Sequence, residues 1–196
     1  VYLLGKVSSP KILLKAFEEV KPNLILTVPL ILEKIYKKMI LPQLSKTTMK
    51  VALNIPLLDS RIYAQIRKKL VDAFGGRFRE VIVGGAAMNE EVTNFLYKIK
   101  FPFTIGYGMT ECGPLISYDH NDEYVPGSCG QILKGIMKVR IDSEDPYNKV
   151  GEIQVSGENV MKGYYKNEEA TSKVFTEDGW LRTGDLGTID ADNRIY

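Results

Sequence analysis

The sequence predicts an α/β protein. A mostly parallel sheet with flanking helices is expected over residues 1–118, followed by a smaller, antiparallel, β-rich, barrel-like unit over residues 119–196. Three observations predict it. Helical spacing and short apolar runs alternate up to Tyr118. Beyond that point, apolar residues alternate in period two between Gly, Pro, Asn and Asp. Two apolar runs of the first part end in glycine, "EVIVGGAAM" and "FTIGYGMTE". The change of character places the boundary near residues 115–125.

Pro10 to Val20 carries Ile12, Leu13, Ala16, Phe17 and Val20 at helical spacing, with Ser9 placed to cap it. "NLILTV" (Asn23–Val28) is a short apolar run, expected as a buried strand. Pro29 suits the first turn of a helix, which "LILEKIYKKMI" continues. Ser60 precedes Ile62, Ile66 and Leu70, an amphipathic helix expected to stop at Gly75-Gly76. "FREVIVGG" is a strand, and Asn89 can cap the helix "EEVTNFLYKI" that follows. "GIMKVRID", "GEIQVSG" and "WLRTGDLGTID" supply the strands of the second part. The runs Leu24–Val28 and Leu30–Leu32 are expected to be core for the most part, although they could also line a tunnel for an apolar substrate.

Composition narrows the function. Apolar residues make up 44% and charged residues 26% of 196, ordinary for a globular protein with one or two domains. A net charge of +2 gives no electrostatic case for nucleic acid. No apolar run reaches the roughly 18 residues of a membrane span, and no basic amphipathic helix argues for a membrane surface. Cys112 and Cys129 make neither a disulfide framework nor a metal spacing, so a reducing, cytoplasmic setting is expected. His120 is the single histidine and is expected on a surface loop, which excludes a histidine triad or a multi-histidine metal centre in this chain. The chain starts at Val1 and stops at Tyr196 as a new apolar alternation begins, and it reads as a segment of a longer protein.

The glycine-ended strands carry the chemistry. In open α/β sheets, ligands bind beyond the carboxyl ends of the strands. Gly84 and Gly85 allow close backbone approach, and small Ala86 and Ala87 keep the space above them open. Gly106 and Gly108 flank Tyr107, whose ring can lie against a planar base. The Thr110 hydroxyl can bond a phosphate oxygen, and Glu111 can hold Mg²⁺ together with substrate phosphates. Asp185, between Gly184 and Gly187, can accept both hydroxyls of a ribose. Each piece also fits a plainer role. Gly84-Gly85 fits a simple turn, Tyr107 a core or rim aromatic, Thr110-Glu111 a helix start, and Asp185 a tight Gly-Asp turn. "GEIQVSGENVMKGYYKNEEAT" (Gly151–Thr171) holds no evident catalytic pair, and Tyr164 and Tyr165 are expected to pack.

Taken together, "YGMTE" (Tyr107–Glu111), "GGAAM" (Gly84–Met88), Gly151–Thr171 and "GWLRTGDLG" (Gly179–Gly187) resemble, in order and spacing, the motifs of the adenylate-forming enzymes. That family includes acyl-CoA synthetases, peptide-synthetase adenylation domains and luciferases. "EEVKPNLILTVPLILEKIYKKM" (Glu18–Met39) is most similar to the long-chain fatty acyl-CoA synthetase branch, so the chain resembles part of the large N-terminal domain of such a ligase. The resemblance implies a two-step reaction. A fatty acid carboxylate attacks the α-phosphate of ATP, and coenzyme A then displaces AMP to give a thioester. It also implies residue roles. Gly84, Gly85 and Ala86 would lie beside adenine and the acyl carbonyl. Gly106, Tyr107 and Gly108 would meet adenine, with Tyr107 stacked on it. Thr110 would bond the α-phosphate, Glu111 would hold Mg²⁺, and Asp185 would take the ribose hydroxyls. The family's Ser/Thr/Gly-rich phosphate loop, its Gly-Arg hinge and its lid with a catalytic lysine are not in this sequence, so the segment alone is expected not to turn over. Ile105 stands where relatives often carry a polar residue, and Asn193 where a turn glycine is common. An acyl carrier protein as acceptor, and a non-catalytic adenylate-binding relative, are the competing readings.

Overall fold

The computed structural model describes residues 10–196, which leaves the capping role expected of Ser9 outside the described residues. The described residues form two compact units, one up to Phe103 and one over residues 104–196. The division falls upstream of the change in sequence character.

The first unit is the α/β part. Helix α1 (Pro10–Val20) leads into strand β1 (Leu24–Thr27), and Pro29 opens α2 (Pro29–Ile35) at its first position. The helix continues through a π-turn, Tyr36–Ile40, into α3 (Leu41–Leu44), so the helical run expected after Pro29 is one path with a wider middle turn. Helix α4 (Thr47–Ala52) follows, then α5 (Leu58–Ala73). Helix α5 begins two residues before Ser60, whose hydroxyl donates to the Leu57 carbonyl within the first turn. It ends at Ala73, just ahead of Gly75 and Gly76, both at positive φ. A Cβ on Gly75 would lie 2.4 Å from the Phe17 carbonyl oxygen, so only glycine fits where α5 meets α1.

Strand β2 (Glu80–Val83) pairs in parallel with β1 from Leu24↔Glu80 to Thr27↔Val83. Helix α6 (Glu90–Lys98) follows, capped by the Asn89 side chain, which accepts from the Val92 N–H at 3.2 Å. The chain returns along β2, where the Val81 N–H donates to the Pro102 carbonyl, and strand β3 (Phe103–Ile105) begins. Phe74 anchors the core, stacked on Phe17 at 5.3 Å and edge-on to Phe101 at 5.5 Å. Strand β1 is not the buried strand expected. Ile25 is buried, but Leu24, Val28 and Leu30 are half exposed and Leu26 is 73% exposed. Only one face of β1 is covered among the described residues, so the Leu24–Leu32 stretch is divided, with Leu24, Leu26, Val28 and Leu30 exposed and Ile25, Pro29 and Leu32 buried.

The second unit is antiparallel. Strand β4 (Tyr107–Gly108) pairs with β5 (Leu115–Ser117), and a 3₁₀ turn, Thr110–Cys112, lies between them. Strands β6 (Met137–Asp142), β7 (Gly151–Gly157) and, after helix α7 (Glu168–Val174), β8 (Leu181–Gly187) form a sheet in that order. This is an open three-stranded sheet, with no closed barrel among the described residues. The core joins Met137, Ile141, Ile153, Val155 and Leu181 to Cys112, Ile116 and Ile195. The closing turn of the chain brings Arg194 Nε within 3.0 Å of the buried carboxylate of Asp119. Asn193 there has φ +59°, the left-handed geometry its side chain tolerates.

Candidate nucleotide-binding site

Strand β2 delivers the first glycine turn. The Gly84 N–H donates to the Thr27 carbonyl at 3.1 Å and ends the ladder. Gly85 then turns at φ +87°, and Gly85, Ala86 and Ala87 are all exposed. The nearest atom to a Cβ on Gly85 is Val28 Cγ1 at 4.0 Å, so backbone conformation, not crowding, calls for glycine. These residues lie in the first unit and the remaining candidates in the second.

The glycine-ended strand expected to start at Phe103 is two short ones, interrupted at buried Gly106. Gly108 is required by the fold itself. A Cβ there would lie 2.0 Å from the Pro114 carbonyl oxygen, because the Met109 N–H closes the turn onto that same carbonyl. Thr110 opens the 3₁₀ turn with its side chain exposed.

Tyr107 and Asp185 meet. The Tyr107 hydroxyl donates to Asp185 Oδ2 at 2.7 Å, across 78 positions of sequence. Asp185 is exposed and its Oδ1 accepts no hydrogen bond among the described residues. It sits within β8, not in a tight turn. Gly184 bulges at φ +77° and the β7–β8 register shifts between Glu152 and Gln154. The Thr183 hydroxyl, which donates to the Ile153 carbonyl, accepts from the Asp185 N–H and fixes this bend. Burial pushes the Tyr107 phenol well above its ordinary pKa, and its bond to Asp185 adds to this, so it is a donor at any physiological pH.

Glu111 is held at both ends. Its carbonyl accepts from the Met161 N–H at 2.7 Å, and its Oε1 accepts from the Tyr164 hydroxyl at 2.8 Å. Asn159 reinforces the turn by donating to the Cys112 and Leu115 carbonyls. Tyr164 therefore does not pack as expected but binds a site carboxylate, and Tyr165 is 88% exposed. These partners were invisible as a motif. Glycine before Tyr164 and its fixed place ahead of the Gly179–Gly187 stretch were the available signals.

Neither Glu111 nor Asp185 has a cationic partner among the described residues. Burial raises the Cys112 thiol to about 11 and also raises Cys129, with Glu111 and Asp185 adding to the respective shifts, so both thiols stay neutral. Two carboxylates thus face outward with open oxygens. No cluster of three or more metal-ligating side chains exists among the described residues. Glu111 fits a Mg²⁺ that arrives with phosphates, which needs only one or two protein carboxylates, and does not fit a resident metal centre. No described helix is long and apolar enough to cross a membrane.

Comparisons with known proteins show the family to which these motifs belong. The family model for AMP-binding enzymes matches residues 1–165. 4-Coumarate-CoA ligase 1 of Narcissus pseudonarcissus is 35% identical over 154 residues, 72% of this chain and 28% of that protein. Long-chain-fatty-acid–CoA ligase 1 of Saccharomyces cerevisiae is 29% identical over 195 residues, 91% of this chain and 28% of that protein. The chain thus spans little more than a quarter of these relatives. Among solved structures, ATP-bound MatB from Rhodopseudomonas palustris superposes with a TM-score of 0.69 at 25% identity, covering 96% of this chain and 32% of that one. The amide bond synthetase McbA from Marinactinospora thermotolerans shares the fold with a TM-score of 0.70 at 23% identity, covering 96% and 34%.

Proposed function

We propose, from a chain that belongs to the AMP-binding enzyme family, that its protein activates a carboxylic acid with ATP and passes the acyl group to coenzyme A. In the first step a carboxylate oxygen bonds to the α-phosphorus, the bond to the β-phosphate oxygen breaks, and pyrophosphate leaves. In the second, the coenzyme A sulfur gives up its proton to solvent and bonds to the acyl carbon, the acyl carbon–phosphate oxygen bond breaks, and AMP leaves.

The observation that carries this reading is the Tyr107–Asp185 pair. One carboxylate oxygen is fixed by a phenol that burial keeps neutral and the other is open, the arrangement that a ribose diol can use. Thr110 would meet the α-phosphate. Mg²⁺ held by Glu111 and the nucleotide would offset phosphate charge during transfer.

For the acid, we favour a long-chain fatty acid. The Glu18–Met39 stretch and the yeast relative's alignment over 195 residues support it. The higher identity to 4-coumarate–CoA ligases supports an aryl-propenoic acid as the second reading. The thiols of Cys112 and Cys129 support a cytoplasmic setting.

Titrating ATP into wild type and Asp185→Ala tests the site. Loss of a charged acceptor worth about 1.5–3 kcal/mol should weaken ATP binding roughly ten- to hundredfold. Unchanged affinity would refute the ribose role.

A further inference from the structure

We propose that Tyr164 is a positioning residue for Glu111, setting the carboxylate that takes the magnesium ion of a bound nucleotide. The inference rests on the ATP-dependent reading above and adds a residue that reading does not contain.

Tyr164 is an exposed side chain, yet three features fix where its hydroxyl goes. Its backbone N–H donates to Thr171 Oγ1 at 2.9 Å, and that hydroxyl donates to the Asn167 carbonyl at the start of α7. Gly163 lies against the same threonine, where a Cβ would come within 2.7 Å of Thr171 Cγ2, so the chain enters Tyr164 along one path. Three residues earlier, the Met161 N–H holds the Glu111 carbonyl. The segment 159–164 is therefore laid along the Thr110–Cys112 turn by the Met161 N–H and the Asn159 side chain, neither of which involves the phenol. The phenol then donates to Glu111 Oε1, while Oε2 accepts no bond among the described residues.

A long, otherwise unpaired carboxylate samples several rotamers, and ordering it on binding costs free energy. Tyr164 removes part of that cost in advance. It donates to one oxygen and leaves the other for the cation. A second carboxylate would repel Glu111, and a lysine would neutralise the charge the cation needs, so a neutral donor suits this place.

The test is ATP binding by the full-length protein as Mg²⁺ is titrated, in wild type, Tyr164→Phe, Glu111→Gln and the double variant. Melting temperature without nucleotide is measured beside it. Tyr164→Phe should raise the Mg²⁺ concentration at half-saturation about two- to tenfold, the range of one net hydrogen bond. Nucleotide affinity in EDTA and the unliganded melting temperature should stay unchanged. In the Glu111→Gln background the phenylalanine should add nothing, because the hydroxyl acts through that carboxylate. An unchanged Mg²⁺ requirement in Tyr164→Phe would overturn the inference, and so would an effect that persists in full without Glu111. If wild type binds no ATP at any Mg²⁺ concentration, the nucleotide reading itself fails, and the inference falls with it.

Discussion

Tyrosine hydroxyls recur in this chain as donors to carboxylates: Tyr107 to Asp185, Tyr164 to Glu111 and Tyr36 to Glu91. In each case the phenol is driven away from ionisation, which makes it a dependable donor beside a negative charge. Tyr36 lends itself to measurement because its hydroxyl pKa is pushed up from 10.0 to about 12, first by burial and then by Glu91. The folded state therefore keeps a proton that the unfolded state releases above pH 10. Stability from this group is complete below pH 10 and is lost as pH rises through 10 to about 12. Thermal unfolding followed between pH 9 and pH 12 should fall less steeply in Tyr36→Phe than in wild type. Equal slopes would contradict the assignment. The carboxylates of the site were legible in the sequence because a lone acid among glycines is chemically conspicuous. Their phenolic partners were not, because a tyrosine's partner is decided by tertiary approach across 53 to 78 positions.

Individual elements were read well where a local rule decides them. Asn89 caps α6, Pro29 opens α2, and the period-two runs became β6 and β7 in register from Met137↔Gly157 to Asp142↔Glu152. Local rules fail where the backbone bends. The π-turn at Tyr36–Ile40 and the bulge at Gly184 leave no periodic signature. Gly108 shows how a site glycine can mislead. It suggests room for a ligand, but the structure uses it to let the turn close on Pro114. Gly108→Ala should destabilise by about 1–3 kcal/mol through overpacking. Gly127→Ala, with positive φ but no atom within 4 Å of the added carbon, should cost less. Denaturant titration of the two variants checks this, and equal losses would contradict the crowding argument at Gly108.

Across the whole chain, the division into a parallel α/β part and an antiparallel part was legible because two hydrophobic periods meet within one sequence. Burial was less legible. The run from Leu24 to Val28 has the continuous apolar character of a strand covered on both faces, and half of it lies at the surface among the described residues. Sequence reports what a strand can bury, whereas the packing available decides what it does bury. The central claim is that groups gathered at Tyr107, Thr110, Glu111 and Asp185 serve acyl-adenylate formation. The measurement that tests it most directly is ATP–pyrophosphate exchange by the full-length protein, across fatty acids of increasing length with 4-coumarate alongside. The account predicts exchange that requires a carboxylic acid, is strongest with long-chain fatty acids, and needs roughly ten- to hundredfold more ATP in Asp185→Ala. Strongest exchange with 4-coumarate would move the substrate to the second reading, and no exchange with any acid would contradict the claim.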